Sequence, residues 1–203
     1  MPDQPLVSVD VVAVRWDGGA LRYAIHHRKF EPFLGELALP GVLLLPGESL
    51  EAAARRAVSA KLGLPDTSIR HVTQFGAFDE TNRDPRGATI AIGHLAFLTD
   101  GPDGEATWVD FTDTAVPLPF DHNTIVTAAW DSLRSRVWID WPVTRALLGE
   151  GFTTGQVITL ATLLDHMPYQ VSNLARWLAG TGHIEKAGMR GRDTVWRWIE
   201  RTA

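Results

Sequence analysis

"GVLLLPGESLEAAARRAVSAKLGL", Gly41 to Leu64, decides the fold of the 203-residue chain. A proline–glycine loop runs into Ser49, whose hydroxyl suits a helix N-cap, and Glu51 falls where the helix dipole favours a carboxylate. Gly63 fits the left-handed residue that closes a helix. The stretch therefore predicts a loop and a helix over Leu50–Leu62. Positions 57, 60 and 61 of that helix are spaced i, i+3 and i+4, which puts their side chains on one face. They are Ala57, Ala60 and Lys61.

On either side of this helix the pattern alternates between strand and turn. Val7–Val14 is a β-branched run, "WDGG" at 16–19 is a hairpin turn, and Leu21–His27 returns as a second strand. Further strands are expected near Val72–Gly76 and Thr89–Leu98, separated by the polar loop "DETNRDPRG", and a helix over Asn123–Arg136. Strands around one central helix, closed by a later helix, predict an α/β/α sandwich with a mixed sheet over 1–148, including a linking segment at 123–148.

After "GEG" at 149–151 the pattern changes. Thr153–Asp165 has helical apolar spacing, and Pro168 suits the first turn of another helix. "HIEKAG", "MRGRD" and "TVWRWIE" then read as strand, turn and strand. That order over 149–203 is the outline of a winged helix-turn-helix. Stepping about 100° per residue puts Val171, Leu174, Ala175 and Leu178 on one face. Tyr169, Gln170, Ser172, Asn173 and Arg176 are left for DNA, with Arg190 and Arg192 in the wing. Trp177, Trp196 and Trp198 are assigned to packing. His166 and His183 lack metal-ligand spacing, so no metal site is expected there.

Composition narrows the function. The chain is 45% apolar, enough for a packed core, and contains no cysteine, which excludes disulfides, thiol catalysis and thiolate metal sites. The N-terminal residues lack the basic region of a secretory signal, and no apolar run reaches the ~20 residues of a membrane span. A cytoplasmic, nucleoid-associated protein is expected. Residues 1–150 carry 13 Lys+Arg against 20 Asp+Glu, whereas 151–203 carry 6 against 4. An acidic body precedes a mildly basic tail piece.

Gly41–Leu64 resembles the Nudix box, G-x5-E-x7-R-E-U-x-E-E-x-G-U, with U an aliphatic residue. Aligned on Glu48, Arg56 takes the box arginine, Val58 the first aliphatic position and Gly63-Leu64 the closing pair. Val42 replaces the opening glycine, and the three helix glutamates fall on Ala57, Ala60 and Lys61. Pyrophosphate hydrolysis of this kind needs Mg²⁺ held by clustered carboxylates. A face of two alanines and a lysine cannot supply them, so no catalytic residue and no required cofactor are expected.

The flanks "HRKFEPFLGELALPG" and "FGAFDETNRDPRGATIAIGHLAFL" resemble those of ADP-ribose-type Nudix domains. With the "PLPFDH" helix and the winged-helix outline, the chain resembles the Nudix-related transcriptional regulator (NrtR) family over nearly its whole length. That resemblance implies a homodimeric bacterial repressor of NAD or related metabolism. It would bind a pseudo-palindromic operator and answer to ADP-ribose, a related nucleotide or a sugar. The expected effector site comprises Arg28, Phe30, Glu48, Arg56, Lys61, Arg83 and Arg86. The alternative is a Nudix hydrolase of ADP-ribose-like pyrophosphates, its metal held by Glu48, Glu51 and Glu80.

Overall fold

The computed structural model describes residues 4–113 and 115–200. Met1–Asp3, Thr114 and Arg201–Ala203, which fall in the ranges expected for the two modules, lie outside the described residues. The chain divides into two compact units, the first made of Met1–Arg15 and Arg22–Leu133, the second of Trp16–Leu21 and Arg134–Ala203.

The first unit is built on a seven-stranded mixed sheet. Its central path runs β3 (Leu37–Ala38), β2 (Leu21–His27), β1 (Leu6–Trp16), β6 (Thr89–Leu98) and β5 (Ile69–Phe78). β4 (Gly41–Leu43) pairs antiparallel with β1, and β7 (Thr107–Asp110) with β2. β1 and β6 run parallel, Leu6 opposite Thr89, while β5 and β6 are antiparallel.

Helix α1 spans Leu50–Leu62 as its end signals require. The Ser49 hydroxyl accepts from the Ala52 N–H, and Gly63 closes the helix in the left-handed region at φ 66°. Its buried face is Ala53, Ala54, Ala57, Val58 and Leu62, seated on Val9, Val11, Ala13 and Ala96 of the sheet. Short side chains let the helix lie close to the strands, and close packing fixes its rotation. Ala57 is therefore sealed in the core, Ala60 is exposed and Lys61 is half-buried. The three box positions do not all face one site, because the packing of α1 turns the first of them inward.

The segment 123–148 is two helices, α2 (His122–Arg136) and α3 (Trp141–Leu148). Trp138, at φ 74°, breaks the path between them and donates its backbone N–H to the Thr144 hydroxyl. Asp140 then caps α3.

In the second unit α4 (Thr154–Leu163) opens with a capping box between Thr153 and Gln156. A three-stranded sheet follows the order β8 (Gly151–Thr153), β10 (Asp193–Trp198), β9 (Ile184–Arg190). The Gly155 N–H donates to Asp193, and a Cβ at 155 would come within 2.6 Å of that carboxylate, so the start of α4 needs glycine.

The expected second helix of this unit is shorter than its sequence pattern. Val171–Asn173 form a single 3-10 turn, and α5 runs only from Leu174 to Gly180. The buried stripe is Leu174 and Leu178, whereas Val171 is 55% exposed and Ala175 also faces solvent. Pro168 does not start a helix: Val171 lies in the tighter turn, where the 100° rotation does not hold. β3, β4, β7 and β8 are too short to show an alternating pattern and were not legible in the sequence.

Candidate functional site

A hollow of about 360 Å³ opens in the first unit. Its floor comes from β1 and the Leu39–Leu45 stretch, one wall from α1, and the other from the loops that carry Arg28, Phe30, Arg86 and Phe120. Of the seven residues expected at an effector site, six line it: Arg28, Phe30, Arg56, Lys61, Arg83 and Arg86. Glu48 does not.

Glu48 serves the frame instead. Both of its oxygens accept from Arg56, each at 2.7 Å, and one also accepts from the Leu45 N–H at 3.1 Å. Arg56 donates further to the Leu43 carbonyl at 2.9 Å. The box arginine and box glutamate thus clip the loop onto α1, and this hydrogen bonding lowers the pKa of the Glu48 carboxyl.

Arg83 also departs from the expected phosphate fork. It is buried, bonding Asp121 at 2.6 and 2.9 Å and Asp10 at 3.1 Å. A guanidinium with two carboxylates has little charge to offer a ligand, and its role is to tie β1 to the start of α2. Arg86 is half exposed and grips Asp84 at 2.6 Å. Asp121 was missed because sequence gives no sign of which carboxylate an arginine will meet across 38 residues, and Asp84 because nothing marks which of its neighbouring arginines it will hold.

The cationic side of the hollow is better placed for an anion. Arg28 lies 4.8 Å from the Phe120 ring centroid and donates to the Pro32 carbonyl at 2.7 Å. Lys61 projects from α1 on the same side, its pKa lowered by burial and then by Arg28, Lys29 and Arg56. Lys29 is held by Glu105 at 2.6 Å. Phe30, 72% exposed, forms an apolar lip. Mutual repulsion among these cations leaves an electrostatic demand that a bound phosphate or pyrophosphate would meet.

Three buried polar residues of the hollow were not expected there from the sequence: Asp10, His26 and His122. Asp10 lies in the apolar run of β1, where its polarity was the one available cue.

Among the described residues, no group of three or more histidines and carboxylates is arranged to hold a metal ion. Glu51 pairs with Arg55, and Glu80 borders a separate hollow beside Asp79 and Asn82.

In the second unit, Tyr169, Gln170, Ser172 and Arg176 are exposed around α5, and Asn173 is half-buried. Arg190 and Arg192 flank Gly191 at the tip of the β9–β10 hairpin. Arg176, Arg190 and Arg192 pair with no carboxylate among the described residues. Trp196 and Trp198 are buried and donate to Thr154 and the Gly149 carbonyl, and Trp177 packs on Trp138 and Trp141. No helix among the described residues is long and apolar enough to cross a membrane.

No model of a known protein family matches the chain. Over 131 residues it is 34% identical to an ADP-ribose pyrophosphatase of Methanocaldococcus jannaschii, covering 60% of this chain and 71% of that protein. The crystal structure of Shewanella oneidensis NrtR superposes with a TM-score of 0.77 at 23% identity, over 96% of this chain and 94% of the other. NrtR bound to a 27mer DNA gives the same TM-score and identity, over 96% and 93%. A MutT/nudix family protein of Enterococcus faecalis reaches 0.75 at 24% identity, over 98% and 88%. The two-unit α/β fold is therefore the fold of NrtR.

Proposed function

The chain belongs to the Nudix family of that archaeal pyrophosphatase, and from this premise we propose that it is a ligand-responsive transcriptional regulator. Its first unit binds ADP-ribose or a similar nucleotide without hydrolysing it. Its second unit binds operator DNA through the α5 face and the β9–β10 wing. We take it to act as a homodimeric repressor of genes in NAD or related nucleotide and sugar metabolism.

The observation that carries this reading is the cationic hollow, in which Lys61 stands where the family places a metal-binding glutamate. The residues present do not fit Mg²⁺. Glu48 is spent on Arg56, Glu51 on Arg55, and Ala57 and Ala60 offer no oxygen. The whole-chain likeness to NrtR supports the DNA-binding half, since NrtR has been crystallised with DNA and its Nudix domain with ADP-ribose. A ligand lowers operator affinity only by binding the DNA-free conformation more tightly.

Titrating ADP-ribose into the protein with and without Mg²⁺, and assaying the mixture for AMP, tests this directly. Saturable binding without metal and with the ligand intact is expected. Metal-dependent release of AMP would replace the regulator with a Nudix hydrolase of ADP-ribose-like pyrophosphates, the reading favoured by the 34% identity to a pyrophosphatase.

A further inference from the structure

Two buried polar groups face the hollow with hydrogen-bonding capacity that the protein leaves unused. His122, the first residue of α2, is 4% exposed and lines the hollow. Its Nδ1 receives the Leu39 backbone N–H at 3.1 Å. A backbone N–H can only donate, so Nδ1 carries the lone pair and the ring is neutral with its proton on Nε2. No residue among those described accepts that Nε2–H, and the atom is not sealed from solvent.

Asp10 is 5% exposed and lines the same hollow. Its Oδ2 accepts from Arg83 at 3.1 Å and from the Ser8 hydroxyl at 3.2 Å. Its Oδ1 accepts from no described residue and is likewise open to solvent. Oδ1 lies over Gly41, where a Cβ would run into it, so the glycine that opens β4 keeps this oxygen clear. The Asp10 charge also acts on the His122 ring.

A donor and an acceptor lining one hollow match a hydroxyl, which gives one hydrogen bond and takes another. We propose that Asp10 Oδ1 and His122 Nε2–H form a hydroxyl-reading subsite, which makes the ligand of this hollow a phosphorylated sugar. Arg28 and Lys61 hold the phosphate, and the histidine and aspartate read the sugar. The subsite rests on the reading of the hollow as an anion site given above, and adds to it which part of the ligand carries selectivity. Leaving either buried group unmatched costs affinity, so bare phosphates are discriminated against.

Calorimetry on the full chain separates the possibilities, with ADP-ribose, ribose 5-phosphate, inorganic phosphate and pyrophosphate as probes. Wild-type protein should prefer ribose 5-phosphate over inorganic phosphate by about tenfold or more. His122→Asn keeps an oxygen for the Leu39 N–H but removes the Nε2–H. It should weaken ADP-ribose and ribose 5-phosphate about tenfold and leave pyrophosphate unchanged. Equal binding of ribose 5-phosphate and inorganic phosphate by the wild type overturns the subsite, and needs no variant to fold. An equal loss for all probes, or none for the sugars, overturns it as well. Ribose 5-phosphate binding that depends on His122, with no ADP-ribose binding, would sink the nucleotide reading and keep the subsite. Tight ADP-ribose binding indifferent to His122→Asn would do the reverse.

Discussion

Lys61 is held where burial and neighbouring cations disfavour its charge. Its pKa is lowered from the ordinary lysine value, so the folded state binds that proton less readily than the unfolded chain does. At neutral pH the charge therefore detracts from stability, and the loss disappears as pH rises through the lysine range. Lys61→Met should raise the melting temperature and weaken ADP-ribose binding, two changes that thermal denaturation and calorimetry read separately. Arg83 and Arg86, three residues apart, should behave differently. Arg83→Ala strands the buried Asp10 and the part-buried Asp121 without their cation and should cost about 3 kcal/mol of unfolding free energy in a denaturant titration. Arg86→Ala removes a half-exposed partner from the buried Asp84, which keeps the backbone N–H of residue 86, and should cost less than Arg83→Ala.

At the scale of elements, α1 and the β9–β10 hairpin divide the work. The alanine face of α1 seats it on the sheet, and the same rotation delivers Lys61 to the hollow while sealing Ala57. The α5 region is nearly uncharged, with Arg176 alone between His166 and Ile184 and no acidic residue in that span. On the DNA-binding reading proposed above, phosphate contacts would fall to the hairpin. Arg190→Ala and Arg192→Ala should each reduce the slope of log affinity against log salt by about 0.9 for every phosphate left without its cation, measured by fluorescence anisotropy on duplex DNA. An unchanged slope would place the wing away from the phosphates.

For the whole molecule, acid should be a weakness. His26, His94 and His122 are buried, and burial lowers the pKa of each below the ordinary histidine value. Below about pH 6.5 the unfolded chain takes up these protons more readily than the folded one. Stability is thus fully present above that value and is lost as pH falls beneath it. The melting temperature should drop between pH 7 and pH 5, and the drop should shrink in His94→Gln, which keeps a polar group beside the Ile92 carbonyl without a titrating ring.

Local signals in the chain were sufficient for much of the architecture. Ser49 and Gly63 bound α1, the "WDGG" turn sets the β1–β2 hairpin, and the apolar runs of β1, β2 and β6 announce themselves, since caps, turns and periodicity act over a few residues. The cationic side of the hollow was legible too, because Arg28, Arg56 and Lys61 sit in motifs whose neighbours identify them. Tertiary structure alone decided the rest. It diverted Glu48 to Arg56 and Arg83 to Asp10 and Asp121, shortened the helix after Pro168, and brought Asp10, Gly41 and His122 to one hollow. Pairings across tens of residues depend on which surfaces the core presses together, and no local pattern records that choice.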